Sequence, residues 1–453
     1  MTRSFLWTGI RLAALCALLL LAACGGKQIP PRDGIPSPHL GTIRDMRTFP
    51  QDLTVFARQA GADTPLLDSQ AQAEQDARFN RIFFGPWDMH KTSIRKREVE
   101  IYFRKARGYK YGDVRWTQDE WDAMRANARL KGFPNAAMHG ITVRNADLRE
   151  MPSHTPRFSE PTPDPRTNPF DYFQYSLLPV GTPVFIAHTS RDGNWYYVET
   201  PVAAGWVDAS DVGMVDDAFE AGYKTGSYVA VLRDNVPLPG SLAGQVNIGT
   251  VLPLAPSQSD STRLAVLVPV RNGSRADVVT LTLAHEDAAI KPLPMTPAQV
   301  ALIGNVMMGQ RYGWGGMFGD RDCSALTREL LTPFGTWLPR NSLSQARGGR
   351  RIMLDGMSIK EKEKTILRDG VPFLTLVWLR GHIMLYVGPY KGRPAIFHNV
   401  WGVRTVEGDS DNERFVIGRA VVSSITPGSE LRNLYRTTTF GDRVNSITIL
   451  GGR

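Results

Sequence analysis

The sequence predicts a multidomain chain in which a mixed N-terminal segment and two small β-barrels precede a C-terminal α+β domain. Three observations carry this. At 453 residues, 42% hydrophobic and 21% charged, the chain has ordinary globular composition and enough length for roughly three to four domains. Its hydrophobic period turns from helical to alternating near Val143 and back to helical near Pro294. The last part sets one cysteine at the head of a helix, ahead of a hairpin carrying two histidines.

The elements follow in order. Met1 to Arg11 holds two arginines, Leu12 to Ala22 is apolar, and Leu21-Ala22-Ala23-Cys24 follows, so residues 1–23 read as a signal peptide ending in a lipobox. The apolar run is too short to span a bilayer. The lipobox resemblance implies cleavage before Cys24 and lipid on its sulfur. Residues 24–50, with Pro30-Pro31, Pro36 and Pro38, form a semi-extended tether. Residues 51–140 hold a capping box at Thr117-Gln-Asp-Glu120 opening a helix through Trp121, Met124 and Ala128. The basic run from Arg95 to Lys110, interleaved with Ile101, Tyr102 and Phe103, is expected as a solvated strand edge or face.

Short β runs then repeat at turn-punctuated intervals. Val184 to Ala187, Trp195 to Val198 and Gly205 to Val207 place a first barrel at 141–215, with Phe170, Tyr172, Phe173, Trp195, Tyr196 and Tyr197 mostly filling or covering its core. Tyr228 to Leu232, Thr250 to Leu254 and Leu264 to Val268 place a second at 216–290. A helix entered through Thr296-Pro297, with Val300, Ile303, Val306 and Met307 at helical spacing, opens the α+β domain of 294–423. Residues 424–453 form a polar tail ending in strand-like Val444 to Leu450, with no role assigned.

With the leader removed, Cys323 is the chain's one remaining thiol, so no intramolecular disulfide can form although the leader directs export to an oxidising compartment. Asp322 can cap a helix from Cys323 to about Leu331, stopped by Pro333, whose apolar stripe is Leu326, Leu330, Leu331 and Phe334. Cys323 then lies in the first turn, where free N–H groups and the helix dipole favour a thiolate. His382 follows by 59 residues and His398 by 16 more. A turn centred near Lys391 sets residue 398 opposite 384, which makes the two histidines diagonal neighbours on one face of a hairpin whose second strand runs from Pro394 to Asn399. One cysteine and scattered histidines lack the spacing of a metal site, and no cofactor is expected.

The run Tyr312-Gly-Trp-Gly-Gly, the Asp322-Cys323-Ser324 triplet, Leu338-Pro339-Arg340-Asn341-Ser342 with Gln345, Gly381-His382 to Gly388 and the later His398 together resemble the NlpC/p60 cysteine peptidases of bacterial cell walls. Within that family the chain is similar to the multidomain branch with a stabilising N-terminal segment and two bacterial SH3-like domains, known as γ-D-glutamyl-L-diamino-acid endopeptidases. The resemblance implies a papain-like catalytic domain in which Cys323 is the nucleophile, His382 the base and His398 its orienter, with the Tyr312 hydroxyl meeting the oxyanion. It implies that Asp322 and Ser324 hold the free amine of an N-terminal L-Ala; Asp322 also serves the cap, and Arg340 is equally an anchor for its loop. An amidase or acyltransferase of the same fold, and a wall-binding lipoprotein without catalysis, are the alternatives. The last has no use for a lone thiol beside two histidines.

Charge bounds the partners. Taking Arg3 and Arg11 from the 53 basic residues leaves 51 against 44 acidic ones, about +7 for the mature chain. Export makes nucleic acid an unsuitable partner, whereas an anionic wall polymer or membrane surface attracts this balance. The expected partners are peptidoglycan stem peptides and, through Cys24, a membrane. Gly25 after Cys24 favours the outer membrane, facing the periplasm, and the chain is expected to act as a monomer.

Overall fold

The computed structural model describes residues 40–164, 166–255, 261–407 and 410–451. The leader, Cys24 and the tether as far as His39 lie outside the described residues. Among those described, no helix is long and apolar enough to cross a membrane.

The N-terminal segment divides its apolar side chains between two neighbours. Helix Leu53–Gln59, capped by Asp52, buries Leu53, Phe56 and Ala57 in the core of the C-terminal domain. It approaches helix Pro297–Met307 so closely that a Cβ on Gly304 would meet the Leu53 side chain at 2.4 Å. Further along, Val99, Phe103, Trp116 and Trp121 pack with Phe173, Phe185, Trp195 and Trp206 of the first β unit. The capping box at Thr117 and Glu120 forms, and helix Gln118–Ala128 follows it. The basic run is not a strand. It is a helix, Lys96–Glu100, with a 3-10 turn Ile101–Phe103, because Val99 and Phe103 fall four apart and both are buried.

Strands Met138–Thr142, Ala146–Arg149, Gln174–Leu178, Pro183–Thr189, Trp195–Glu199, Ala204–Asp208 and Val212–Met214 form the first β unit. Its apolar core includes Leu148, Leu178, Val184, Ile186 and Val198, while Phe173, Trp195 and Tyr197 pack toward the N-terminal segment. In the second unit Tyr228–Val231 lies between Val251–Pro253 and Ala288–Lys291, around a separate core of Val229, Val231, Leu252, Val266 and Leu283. Its long hairpin, Arg263–Asn272 with Arg275–Ala284, joins the first unit's sheet at a single Arg275–Met214 bridge. The two expected barrels therefore keep separate cores but share a sheet edge.

The C-terminal domain is built on a six-stranded sheet in the order Arg350–Met353, Val444–Ile449, Thr375–Leu379, His382–Tyr390, Arg393–Glu407, Ser410–Ser423. The stretch read as a polar tail is thus an inner strand of this sheet, pairing with Arg350–Met353 on one side and Thr375–Leu379 on the other. Val444 and Ser446 to Ile449 are all buried. The second hairpin strand also runs well beyond Asn399, to Glu407. One sheet face, with Ile383, Leu385 and Phe397, packs on the Cys323 helix and helix Pro297–Met307. The other, with Met384, Tyr386, Ile396 and Ile447, is closed by Ile366 and Leu354.

Candidate active site

Helix Cys323–Leu331 is capped by Asp322, whose side chain accepts from the Ala325 N–H at 2.8 Å. Leu326, Leu330, Leu331 and Phe334 are fully buried, so the apolar stripe seats the helix against the sheet and presents Cys323 in its first turn, 6% exposed. Cys323 and Ile383 are buried in the same core, so the strand that begins at His382 packs against the nucleophile's helix.

The hairpin brings the histidines together by a route that the sequence did not show. Its tip is a two-residue turn, with Tyr390 paired to Arg393 and Lys391 and Gly392 both at positive φ. That register alone would set residue 398 opposite 385, on the wrong face. A bulge between Tyr386 and Gly388 shifts the pairing by one, to Leu385 with Phe397. His382 Nε2 then lies 2.8 Å from His398 Nδ1, and Phe440, from the supposed tail, packs its ring against both imidazoles.

The tautomers follow from one serine. Ser423 Oγ donates to the Ser424 carbonyl at 2.8 Å, so it accepts from His398 Nε2 at 2.9 Å. His398 therefore carries its proton on Nε2 and accepts at Nδ1 from His382 Nε2–H. This leaves a lone pair on Nδ1 of His382, the form a general base needs. Ser423 was not singled out by sequence, and only the strand pairing identifies it.

On the other side of Cys323 stands a charged cluster. Asp322 Oδ2 accepts from Arg340 Nη2 at 2.6 Å and from the Gly315 N–H at 3.1 Å, and Oδ1 from Ser324 Oγ and Ala325 N–H. Arg340 also reaches Ser324 Oγ at 2.9 Å and Ser176 Oγ of the first β unit at 3.0 Å. Burial drives the Asp322 carboxyl upward, but Arg340 and the N–H donors leave it below its ordinary value. Asp322 and Ser324 both bond to Arg340, which supplies the cation that a buried carboxylate requires. Arg321 docks the second β unit in the same way, with both Nη atoms 2.7 Å from Asp234.

Burial also decides the state of the reactive pair. The thiol of Cys323 is pushed up to about 12 by removal from water and then by the charge of Asp322, against the Ile383 and Ser324 N–H groups. His382 is pushed down to about 3 by removal from water and then by Arg443. His398 lies well below its ordinary value for the same first reason. Burial thus works against the thiolate that the helix terminus favours, and pushes thiol and imidazole toward their neutral forms.

Tyr312 reaches the site through a loop that closes on itself, with the Gly313 N–H donating to Arg321 O at 3.0 Å and Asn399 donating to the carbonyls of Arg311 and Arg321. Gly315 and Gly316 have positive φ, and a Cβ on either would collide with Gln174 or Leu177 of the first β unit. These glycines thus let the loop dock on that unit as well as turn. Phe170, expected to serve its own barrel, instead packs against Tyr312, Trp314 and Trp401. It closes one wall of a cleft of about 480 Å³ that His382 and Tyr312 also line.

A cysteine at a helix head with two histidines on the adjoining sheet is the arrangement of a thiol nucleophile served by a histidine base. Family models assign the parts. Residues 13–133 match the NLPC_P60 stabilising domain, 156–208 an SH3 domain of the SH3b1 type, and 309–421 the NlpC/P60 family. The catalytic domain, residues 309–421, is thus an NlpC/P60 domain. Its structure is similar to that of an NlpC/P60 endopeptidase from Photobacterium damselae subsp. piscicida, at 23% identity and TM-score 0.77, over 93% of this chain and 99% of that one. An NlpC/P60 family protein from Bacillus cereus ATCC 10987 matches at 15% identity and TM-score 0.40, over 60% of this chain and 81% of that one. No curated protein sequence matches.

Proposed function

We propose that this NlpC/P60 peptidase cleaves the γ-D-glutamyl-L-diamino acid bond of stem peptides with a free N-terminal L-Ala. The observation that supports the reading is the set of Cys323 in the first turn of its helix and, on the strand packed against that helix, His382 with His398 at 2.8 Å. His382 Nδ1 takes the thiol proton as sulfur attacks the γ-carbonyl, so charge is created only when substrate is in place. The oxyanion is met by the Cys323 N–H and the Tyr312 hydroxyl, each such donor being worth roughly 10²–10³ in rate. The C–N bond breaks as His382 returns the proton to the departing amine, leaving a thioester on Cys323. Water, giving a proton to His382, then releases the acid.

Lipid on Cys24 would hold the enzyme at the outer membrane, and a Cys24→Ala protein should leave the membrane fraction. Digestion of L-Ala-γ-D-Glu-diamino acid tripeptide, with products identified by mass, should give L-Ala-D-Glu and the free diamino acid. Cleavage elsewhere in the wall would favour the amidase alternative, acyl transfer to lipid the acyltransferase, and no turnover at all the binding lipoprotein.

A further inference from the structure

Helix Ser69–Phe84 sets Asp76 and Asn80 one turn apart on the side that faces the second β unit. The Lys291 side chain, at the end of strand Ala288–Lys291, enters this face and is 0% exposed. Its Nζ donates to Asp76 Oδ1 and, at 2.9 Å, to Asn80 Oδ1, while Asn80 Nδ2 donates to Asp76 Oδ2 at 3.2 Å. The three side chains thus close a ring of hydrogen bonds. Apolar surface wraps it, with the Phe79 ring centre 4.4 Å and that of Tyr228 5.8 Å from Nζ. The backbone of Gly335 lies so close that a Cβ there would meet Asp76 Oδ1 at 2.5 Å.

This ring differs from other buried ion pairs in the protein. Arg149 with Asp171, Arg321 with Asp234 and Arg340 with Asp322 use arginine, which keeps its proton and is no nucleophile. Lysine can shed its proton, and the neutral amine attacks carbonyl carbon. Removal from water holds Lys291 below its ordinary value, against the hydrogen bond and charge of Asp76. The amine also touches the oxygen of a carboxamide, whose carbon is an electrophile and whose nitrogen can leave. Asp76 bonds both the nitrogen that would lose protons and the nitrogen that would gain one.

We propose that Lys291 and Asn80 join in an intramolecular isopeptide bond, with Asp76 as the proton carrier, which ties the N-terminal segment to the second β unit. Nζ attacks Asn80 Cγ to form the new C–N bond, and the Cγ–Nδ2 bond breaks. Nζ gives up two protons: Asp76 keeps one and passes the other to the departing nitrogen, which leaves as ammonia. The step needs no further reactant. The fold supplies proximity, and the apolar surroundings favour neutral amine and acid over the ion pair. The two residues are 211 positions apart, so the bond restricts the unfolded chain strongly. It is a brace of a kind that Cys323, the one cysteine among the described residues, cannot provide.

The test is the mass and peptide map of the full chain as purified. Compared with the Lys291→Met protein, so that any processing of the N-terminus cancels, the parent should be lighter by one ammonia than the substitution accounts for. Digestion of the parent should release a branched peptide that joins the segment holding Asn80 to the segment holding Lys291. Full mass, with the two segments released separately, would overturn the bond. So would a lost ammonia without the branched peptide, as a succinimide at Asn80 would give. Asp76→Asn keeps the shape of the ring but cannot carry protons, and this protein should show full mass and two separate peptides. A cross-link formed as completely in Asp76→Asn as in the parent would overturn the role given to Asp76. The map is read on the parent, so it decides the matter even where a variant fails to fold.

Discussion

Two buried polar clusters flank Cys323 and remain buried for opposite reasons. Asp322 and Arg340 keep full charges, held by an ion pair of 2.6 Å and by donors from Gly315, Ala325 and Ser324. His382, His398 and Ser423 are buried just as deeply and carry no charge, because each proton is handed along one chain of hydrogen bonds. The charged cluster joins the catalytic loop to the first β unit through Ser176 and suits a permanent structural role. The neutral chain keeps a proton acceptor ready and becomes charged only for the moment of transfer.

Breaking the charged cluster should have the largest effect. Arg340→Met leaves Asp322 buried and uncompensated, and should lower unfolding free energy by about 3–5 kcal/mol. Asp322→Asn added to it should recover much of the loss, since Asn still caps the helix. Denaturant titration of both proteins decides whether the pair is structural, and a near-neutral single variant would dissolve the contrast.

The neutral cluster should instead show itself through pH. The folded His382 lies at about 3, below its ordinary 6.5, so the unfolded chain binds the proton first as pH falls. Its contribution is fully present above about pH 6.5 and is lost progressively toward pH 3, by about 1.4 kcal/mol per unit. Stability of the His382→Gln protein, followed by denaturant titration between pH 7 and 4, should decline less steeply than the parent by one proton. Parallel slopes would mean that His382 is charged in the folded state.

Ser423→Ala should have the smallest effect and the most specific one. It removes the acceptor that holds His398 as the Nε2–H tautomer, and should cost about 1–1.5 kcal/mol in the transition state, roughly tenfold in kcat, with little change in KM. Ser423→Thr should restore the rate.

The asymmetry between the clusters also marks what the sequence could tell. The Cys323 helix was legible in full, since its cap at Asp322, its apolar stripe and its stop at Pro333 are all local signals. The pairing of His382 with His398 was legible as a face, but the bulge near Val387 that produces it was not. The parts supplied by distant chain were missed: Phe170 from the first β unit, and Phe440 and Arg443 beside a strand whose local pattern names no partner. The same cause lies behind the burial that opposes a resting thiolate. A helix terminus can be read locally, whereas desolvation of the thiol is the work of elements far away in sequence.

The central claim is that Cys323 carries the acyl half of the substrate. Acid quenching of the enzyme during turnover of an L-Ala-γ-D-Glu-diamino acid tripeptide, followed by peptide mass mapping, should find L-Ala-D-Glu as a thioester on the fragment containing Cys323, absent from the Cys323→Ala protein. An adduct on another residue, or one that retains the diamino acid, would contradict it.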